Sequence, residues 1–357
     1  MALGVFRQLT RAVAVMTTAA ALACPTLLEA APRQSSSAKR PAVPAARSTP
    51  RKSSSASSAA TRARQARLTR ARSNSLALMR DVQTPRFKID DSGQEVPDVR
   101  AEAAIIYNPT TREVLWSSNA ETERSMASIT KVMTALVTFE SGIDMATPVK
   151  VELSDVSRAS TTYLRRGYTV TVEDLVNLLL IGSDNAAARA LARVSPYGSV
   201  GFVDRMNEKA EQLGLTTTHY ADPSGLLSEN VSSAYDLAQL IAYAAADERI
   251  GGVMRKSSYE TTSGKIQIHA NSTNQLVKTG DLDVLGGKTG FISRSGYCLA
   301  SLLRLPQTGQ QVAVVVLGAK SNASRFWETR HLFNWLSTRT LALVGTTEGQ
   351  HQDQDQN

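Results

Sequence analysis

Three short strings in this 357-residue chain could carry nucleophilic chemistry: Ser128-Ile129-Thr130-Lys131, Ser183-Asp184-Asn185 and Lys288-Thr289-Gly290. A serine hydroxyl is a poor nucleophile until a neighbouring base takes its proton. A lysine can be that base when burial and nearby cations lower its pKa. Ser128 and Lys131 lie in Met126–Val137, a stretch without proline or glycine whose apolar residues recur at helical spacing. Positions i and i+3 of a helix share a face, about 5–6 Å apart at Cβ, so the spacing predicts the Lys131 ammonium within reach of the Ser128 hydroxyl. Unpaired N–H groups and the positive end of the dipole would favour negative charge there. The plainer alternative is a helix start capped by Ser128, with Lys131 in water.

Ser183-Asp184-Asn185 falls between two predicted helices, Glu173–Ile181 and Ala186–Ala192. Three polar side chains on such a loop suit a cleft wall, with Ser183 passing protons and Asn185 bonding a substrate amide. They equally suit an N-cap for the alanine run. Lys288-Thr289-Gly290 opens a segment whose second half reads as a strand, followed by a second strand at Val312–Leu317. Lysine and threonine lining a cleft can hold a carboxylate, one by charge and one by hydrogen bond. Gly290 would let a substrate backbone approach. Decoys exist: Ser36-Ser37-Ala38-Lys39, Ser117-Ser118-Asn119, Ser228-Glu229-Asn230 and Lys278-Thr279-Gly280. The last runs into the acidic turn Asp281-Leu282-Asp283, which argues against a substrate-lining strand.

Other machinery is missing from the sequence. His219, His269, His331 and His351 show no metal-ligand spacing, and there is no His-Glu-x-x-His string, glycine-rich phosphate loop or Gly-x-Ser-x-Gly elbow. No metal or cofactor is expected. Ala103–Tyr107 and Glu113–Trp116 flank Asn108-Pro-Thr-Thr-Arg112, a hairpin signature. Strands at both ends around central helices predict an α/β (α+β) fold, an antiparallel sheet with flanking helices.

With these residues in place, the chain resembles the low-molecular-mass penicillin-binding proteins, the serine D,D-peptidases of peptidoglycan. The motif set is known from penicillin-binding proteins and class A β-lactamases. The similarity extends over about residues 97–342 and includes Arg124–Lys131, Met206–Gly214, Asp222-Pro-Ser-Gly-Leu226, Asn271–Leu276 and Gly286–Gly290. Pro223–Leu237 is especially similar to the D-alanyl-D-alanine endopeptidase branch. The resemblance implies a penicillin-binding transpeptidase or β-lactamase-like fold. It implies Ser128 as acylated nucleophile, Lys131 as proton acceptor and Ser183 as second hydroxyl of the relay. Asn185 would contact a substrate amide, and Lys288, Thr289 and Gly290 the acyl-donor end. The backbone N–H groups of Ser128 and Phe291 would form the oxyanion hole. Peptidoglycan peptides would be substrates and β-lactams covalent inhibitors. Ile292 departs from the family's usual threonine, which removes a hydroxyl near the donor terminus. After the last strand only a helix, about Ser321–Leu343, and a polar tail at 344–357 are expected, too little for the second domain of the carboxypeptidase branch.

Residues 1–31 read as a signal peptide, with Arg7 and Arg11 ahead of an apolar core at Ala12–Ala23. That core is shorter than the roughly 20 residues that span a membrane. Ala21-Leu22-Ala23-Cys24 also resembles a lipoprotein box, with Ala21 where leucine is preferred. An exported, periplasmic protein follows, in which nucleic acid is not an expected partner. The net charge of +8 is unevenly distributed: residues 33–80 hold 12 Lys+Arg and no acid, leaving −5 for 81–357. Residues 32–96 are therefore expected to be a disordered basic linker, either a plain tether or an electrostatic attachment to an anionic envelope surface. The catalytic domain is placed at 97–343, with Cys298 a buried free thiol.

Two rival functions share the motifs. A class A β-lactamase needs a deacylating glutamate, typically Glu-x-x-Leu-Asn between the second and third motifs, and 186–287 lacks that string. A non-catalytic wall-binding protein would not need the complete nucleophile and relay set. D-alanyl-D-alanine carboxypeptidase remains the alternative to endopeptidase.

Overall fold

The computed structural model describes residues 54–354, with side-chain surroundings from 61 to 341. The signal-peptide and Cys24 readings, and the first part of the basic segment, lie outside the described residues. The chain divides into two units, Met1–Arg62 and Ala63–Asn357; the sheet, the site and every helix after the first belong to the second.

Helix α1 covers Ser54–Gln83. It replaces much of the expected disordered linker, and the physical reason is local. The segment has no glycine or proline and is rich in Ala and Arg, residues of high helix propensity. Its side chains from 61 onward are exposed apart from Val82. Its last turn is tied down: Arg100 reaches the Asp81 carboxylate at 3.0 Å, and His331 Nε2 pairs with the Gln83 carbonyl at 3.0 Å. A hairpin of β1 (Phe87–Ile89) and β2 (Glu95–Pro97) follows, also inside the segment expected to be disordered. The Asp90 carboxylate accepts from Ser92 N and Gln94 N in its turn, and Val96 is buried.

The central sheet uses β3 (Ala103–Asn108) and β4 (Glu113–Ser118) from the start of the domain. Helix α2 (Lys131–Glu140) leads the helical layer, followed by α3 (Val172–Ile181), α4 (Asn185–Val194), α5 (Gly198–Gln212) and α6 (Ala234–Ala246). A second hairpin, β5 (Ser258–Ser263) with β6 (Ile266–Asn271), precedes the last three strands. These are β7 (Asp283–Ile292), β8 (Gly296–Arg304) and β9 (Gln311–Ala319). Helix α7 (Asn322–Gln354) closes the chain. It continues through most of the tail expected to be disordered, where Gly345 and Gly349 are the strong helix-disfavouring residues and no proline intervenes.

The five strands are antiparallel in the order β7-β8-β9-β3-β4, so β7 is an edge strand. Alternation along the strands gives the sheet two buried faces. Ile105, Cys298, Ala300, Val315 and Leu317 face the helical layer. Ile106, Leu299, Val314 and Val316 pack with Phe326, Leu332 and Phe333 of α7. Cys298 is a buried free thiol, as expected. Helix α2 is the hub of the helical layer, with every residue from Lys131 to Thr138 buried. A charged residue inside so apolar a helix needs polar partners, and these build the site.

Candidate active site

Ser128 lies in a 3-10 turn, Ala127–Thr130, that runs directly into α2. Ala127 is left-handed, at φ 48°, a conformation that costs an alanine about 1–2 kcal/mol. The turn is clamped on two sides. The Met126 N–H donates to the Asn230 carbonyl at 3.0 Å. On the other side Gly290 of β7 lies so close that a Cβ there would meet the Met126 carbonyl oxygen at 2.7 Å and Ser128 N at 3.3 Å. Gly290 is therefore required by the nucleophile turn itself, a demand the sequence did not suggest. Gly290→Ala should destabilise by about 1–3 kcal/mol through overpacking. It should also slow penicillin acylation at least about tenfold, since small misplacements of reacting groups are costly. Thermal unfolding and labelling rates check both.

Lys131 is fully buried. Its Nζ donates to Ser128 Oγ at 2.9 Å, Asn185 Oδ1 at 2.6 Å and the Ser224 carbonyl. Burial is the main cause that lowers its pKa to about 7; Asp222 and Asp184 oppose the fall and Arg189 adds to it. Lys288 of β7 is also buried and donates to Ser183 Oγ at 2.8 Å and the Thr289 carbonyl at 2.9 Å. Burial holds its pKa well below the ordinary lysine value, and the charges of Lys131 and Arg325 push the same way. Lys131 has three acceptors and two nearby carboxylates, whereas Lys288 has two neutral acceptors. The repulsion between the ammonium groups therefore falls mainly on Lys288, and burial is the chief influence on Lys131.

The second motif sits where α3 hands over to α4. Ser183 is left-handed, at φ 58°. Asp184 caps α4 by accepting from Ala187 N at 2.9 Å and also accepts from Thr162 Oγ1 at 2.9 Å. The capping reading of the string therefore holds, and the capping residue is Asp184. Two details differ from expectation. Asn185 is engaged at both ends, its Oδ1 by Lys131 and its Nδ2 donating to the Ala159 carbonyl at 2.6 Å. Ser183 bonds Lys288 rather than Lys131.

On β7, Thr289 Oγ1 meets Thr273 Oγ1 at 2.6 Å, and Phe291 stacks on Tyr297 with ring centroids 4.2 Å apart. Arg325 of α7 is buried and donates to the carbonyls of Gly290, at 2.9 Å, and Cys298, at 3.1 Å. These carbonyls belong to paired residues of β7 and β8. Thr273, Ser224 and Arg325 received no role from the sequence, although Asp222–Leu226 and Asn271–Leu276 stood out as strings. Lys278 is exposed, on a short helix, Gln275–Thr279, whose buried residue is Leu276. Lys278→Ala should leave acylation within about twofold, as surface changes usually do. Lys288→Ala should slow it at least about tenfold and raise the substrate concentration required, a loss in the range for an interaction with a charged group. Parallel kinetics on the two variants check this, and equal losses would contradict the choice of motif.

A family model described as D-alanyl-D-alanine carboxypeptidase, Peptidase S11, matches residues 90–321. The chain belongs to this family. Among its relatives is a D-alanyl-D-alanine endopeptidase of Escherichia coli, 30% identical over 252 residues that make up 70% of this chain and 81% of that one. A D-alanyl-D-alanine carboxypeptidase of the same organism is 32% identical over 253 residues, but these cover 67% of this chain and only 63% of that one. Among solved structures, the Streptomyces K15 DD-transpeptidase superposes with a TM-score of 0.62 at 26% identity, covering 67% of this chain and 97% of that one. The fold is therefore that of the penicillin-binding transpeptidases, and this S11 member is a serine hydrolase of the D,D-peptidase class.

Proposed function

We propose that this S11 peptidase cleaves D-alanyl crosslinks of peptidoglycan as an endopeptidase, through an acyl-enzyme on Ser128. The observation that carries the chemistry is the buried Lys131 Nζ 2.9 Å from Ser128 Oγ, with a pKa brought to about 7. Neutral Lys131 takes the hydroxyl proton as Ser128 Oγ attacks the carbonyl carbon. The N–H groups of Ser128 and Phe291 receive the oxyanion, and donors of this kind are worth about 3–4 kcal/mol each in the transition state. Ser183 Oγ accepts from Lys288, which leaves its own proton for the leaving nitrogen. The proton taken up by Lys131 replaces it once Ser183 Oγ moves from Lys288 toward Lys131, and the C–N bond breaks. Water then attacks the ester by the reverse proton path. Lys288 and Thr289 hold the acyl-donor end. Asn185, whose Oδ1 accepts from Lys131 and whose Nδ2 donates to the Ala159 carbonyl, keeps a second lone pair on Oδ1 for the N–H of a substrate amide. β-Lactams acylate Ser128 by the same steps and are not released by a dedicated deacylating glutamate.

The endopeptidase relative, matched over 81% of its length, supports this reading. The family description supports carboxypeptidase as the second reading. Purified crosslinked muropeptides separate the two. The proposal expects dimers to become monomers by mass, and loss of terminal alanine from intact dimers would overturn it.

Export to the periplasm is part of the same reading, resting on residues 1–31. Among the described residues no helix is long and apolar enough to cross a membrane. The basic segment would attach electrostatically to an anionic envelope surface. Arg62, Arg64, Arg67, Arg70, Arg72 and Arg80 of α1 are all exposed, and salt-sensitive cosedimentation with anionic vesicles tests the attachment.

A further inference from the structure

Beyond the three motifs, one turn is built against the nucleophile from a part of the chain to which no role has yet been given. Lys131 and Thr134, one turn apart on α2, donate to consecutive carbonyls: Lys131 Nζ to Ser224 O, and Thr134 Oγ1 to Pro223 O at 2.6 Å. Four groups of that same turn and its neighbour Asn230 converge on the Asp222 carboxylate. Oδ2 accepts from Ser224 N at 3.3 Å and from Ser224 Oγ; Oδ1 accepts from Gly225 N at 2.9 Å and Asn230 Nδ2 at 2.5 Å. Asn230 supplies the carbonyl that holds Met126 N, so this network also grips the entry to the nucleophile turn. Gly225 is left-handed at φ 76°, and a Cβ there would lie 2.1 Å from the Ala127 carbonyl oxygen. The turn is thus pressed against both the lysine and the residue before the nucleophile.

All four contacts of the carboxylate are with neutral donors. Its charge is felt through space by Lys131, which it helps to keep protonated. The other charged groups that face Lys131 are Asp184, which acts in the same sense, Arg189 of α4, which opposes it, and Lys288 of β7.

We propose that Asp222 is a positioning residue for acylation: its carboxylate holds the 222–225 turn against α2 so that the Ser224 carbonyl orients Lys131 Nζ toward Ser128, and it supplies the counter-charge for the protonated lysine. This rests on Lys131 acting as the base. Without the carboxylate the ammonium loses a through-space partner and gives up its proton more readily.

The test is the rate of acylation by a fluorescent penicillin across pH, for wild type, Asp222→Asn and Asp222→Glu. For Asp222→Asn the acid limb should move to lower pH, and the plateau rate should fall about tenfold or more as the turn loosens. Asp222→Glu keeps the charge on a longer arm, so its limb should stay in place while its plateau falls severalfold. A limb left unmoved or raised by Asp222→Asn would overturn the proposal. If that variant does not fold, a wild-type plateau in Asp222→Glu would overturn it alone. A wild-type profile with no acid limb would overturn the base assignment for Lys131 and this proposal together. A limb that exists but ignores Asp222 would remove only the latter.

Discussion

Ser128→Ala should abolish both covalent penicillin labelling and peptide hydrolysis while the protein keeps its fold. The change deletes one half-buried oxygen from a turn whose backbone is fixed independently, by Asn230 on one side and Gly290 on the other. Lys131 keeps its bonds to Asn185 and Ser224, so no buried ammonium is left without partners. Removing the nucleophile of a catalytic unit typically costs more than about 10³-fold, and among the described residues no other hydroxyl is bonded to Lys131. Intact-protein mass after penicillin treatment, together with thermal unfolding, checks the pair of expectations. A folded variant that still acquires the antibiotic would place the nucleophile elsewhere.

Lys131→Met should lower acylation by about 10²–10⁴-fold, the usual contribution of a positioned general base. Methionine keeps much of the aliphatic stem, so packing around α2 suffers less than with alanine. The pH profile carries the sharper expectation. The neutral lysine is the base, and its pKa is about 7. The wild-type rate is then at its plateau above that pH and falls as acid protonates the nitrogen, roughly tenfold per pH unit once well below it. In Lys131→Met this limb should vanish, leaving a low and flat profile in stopped-flow acylation. A limb retained near neutrality in that variant would assign the titration to another group. Ordinary lysines lose their proton near about 10.4, so a wild-type limb up there would contradict the role of burial.

Much of this site was legible because its signals are local. The three-residue spacing of Ser128 and Lys131 needs only helical geometry, although the serine falls in the 3-10 turn just before α2. The hairpin at Asn108–Arg112 and the paired strands after Lys288 follow from alternation and turn residues. What was not legible depends on contacts distant in sequence. Nothing near Asp222 or Arg325 says that one shapes a turn against α2 and the other holds the carbonyls of Gly290 and Cys298. The left-handed Ala127 and Ser183 are imposed by their surroundings, since neither residue type requires that conformation. That nearby cations would act on Lys131 was readable in general terms, but not that the repulsion falls mainly on Lys288, because that depends on the acceptors and carboxylates gathered around Lys131. At the N-terminal end, composition spoke of failure to bury apolar surface, while propensity built a helix that barely needs to bury any.

The central claim is that Ser128 becomes acylated by a lysine-managed proton transfer. It is tested most directly by digesting wild-type protein after brief exposure to penicillin and locating the added mass by peptide sequencing in the mass spectrometer. The account predicts one modified peptide, with the antibiotic's mass on Ser128. Modification of Ser183 or any other residue instead, or no adduct on folded protein, would contradict it.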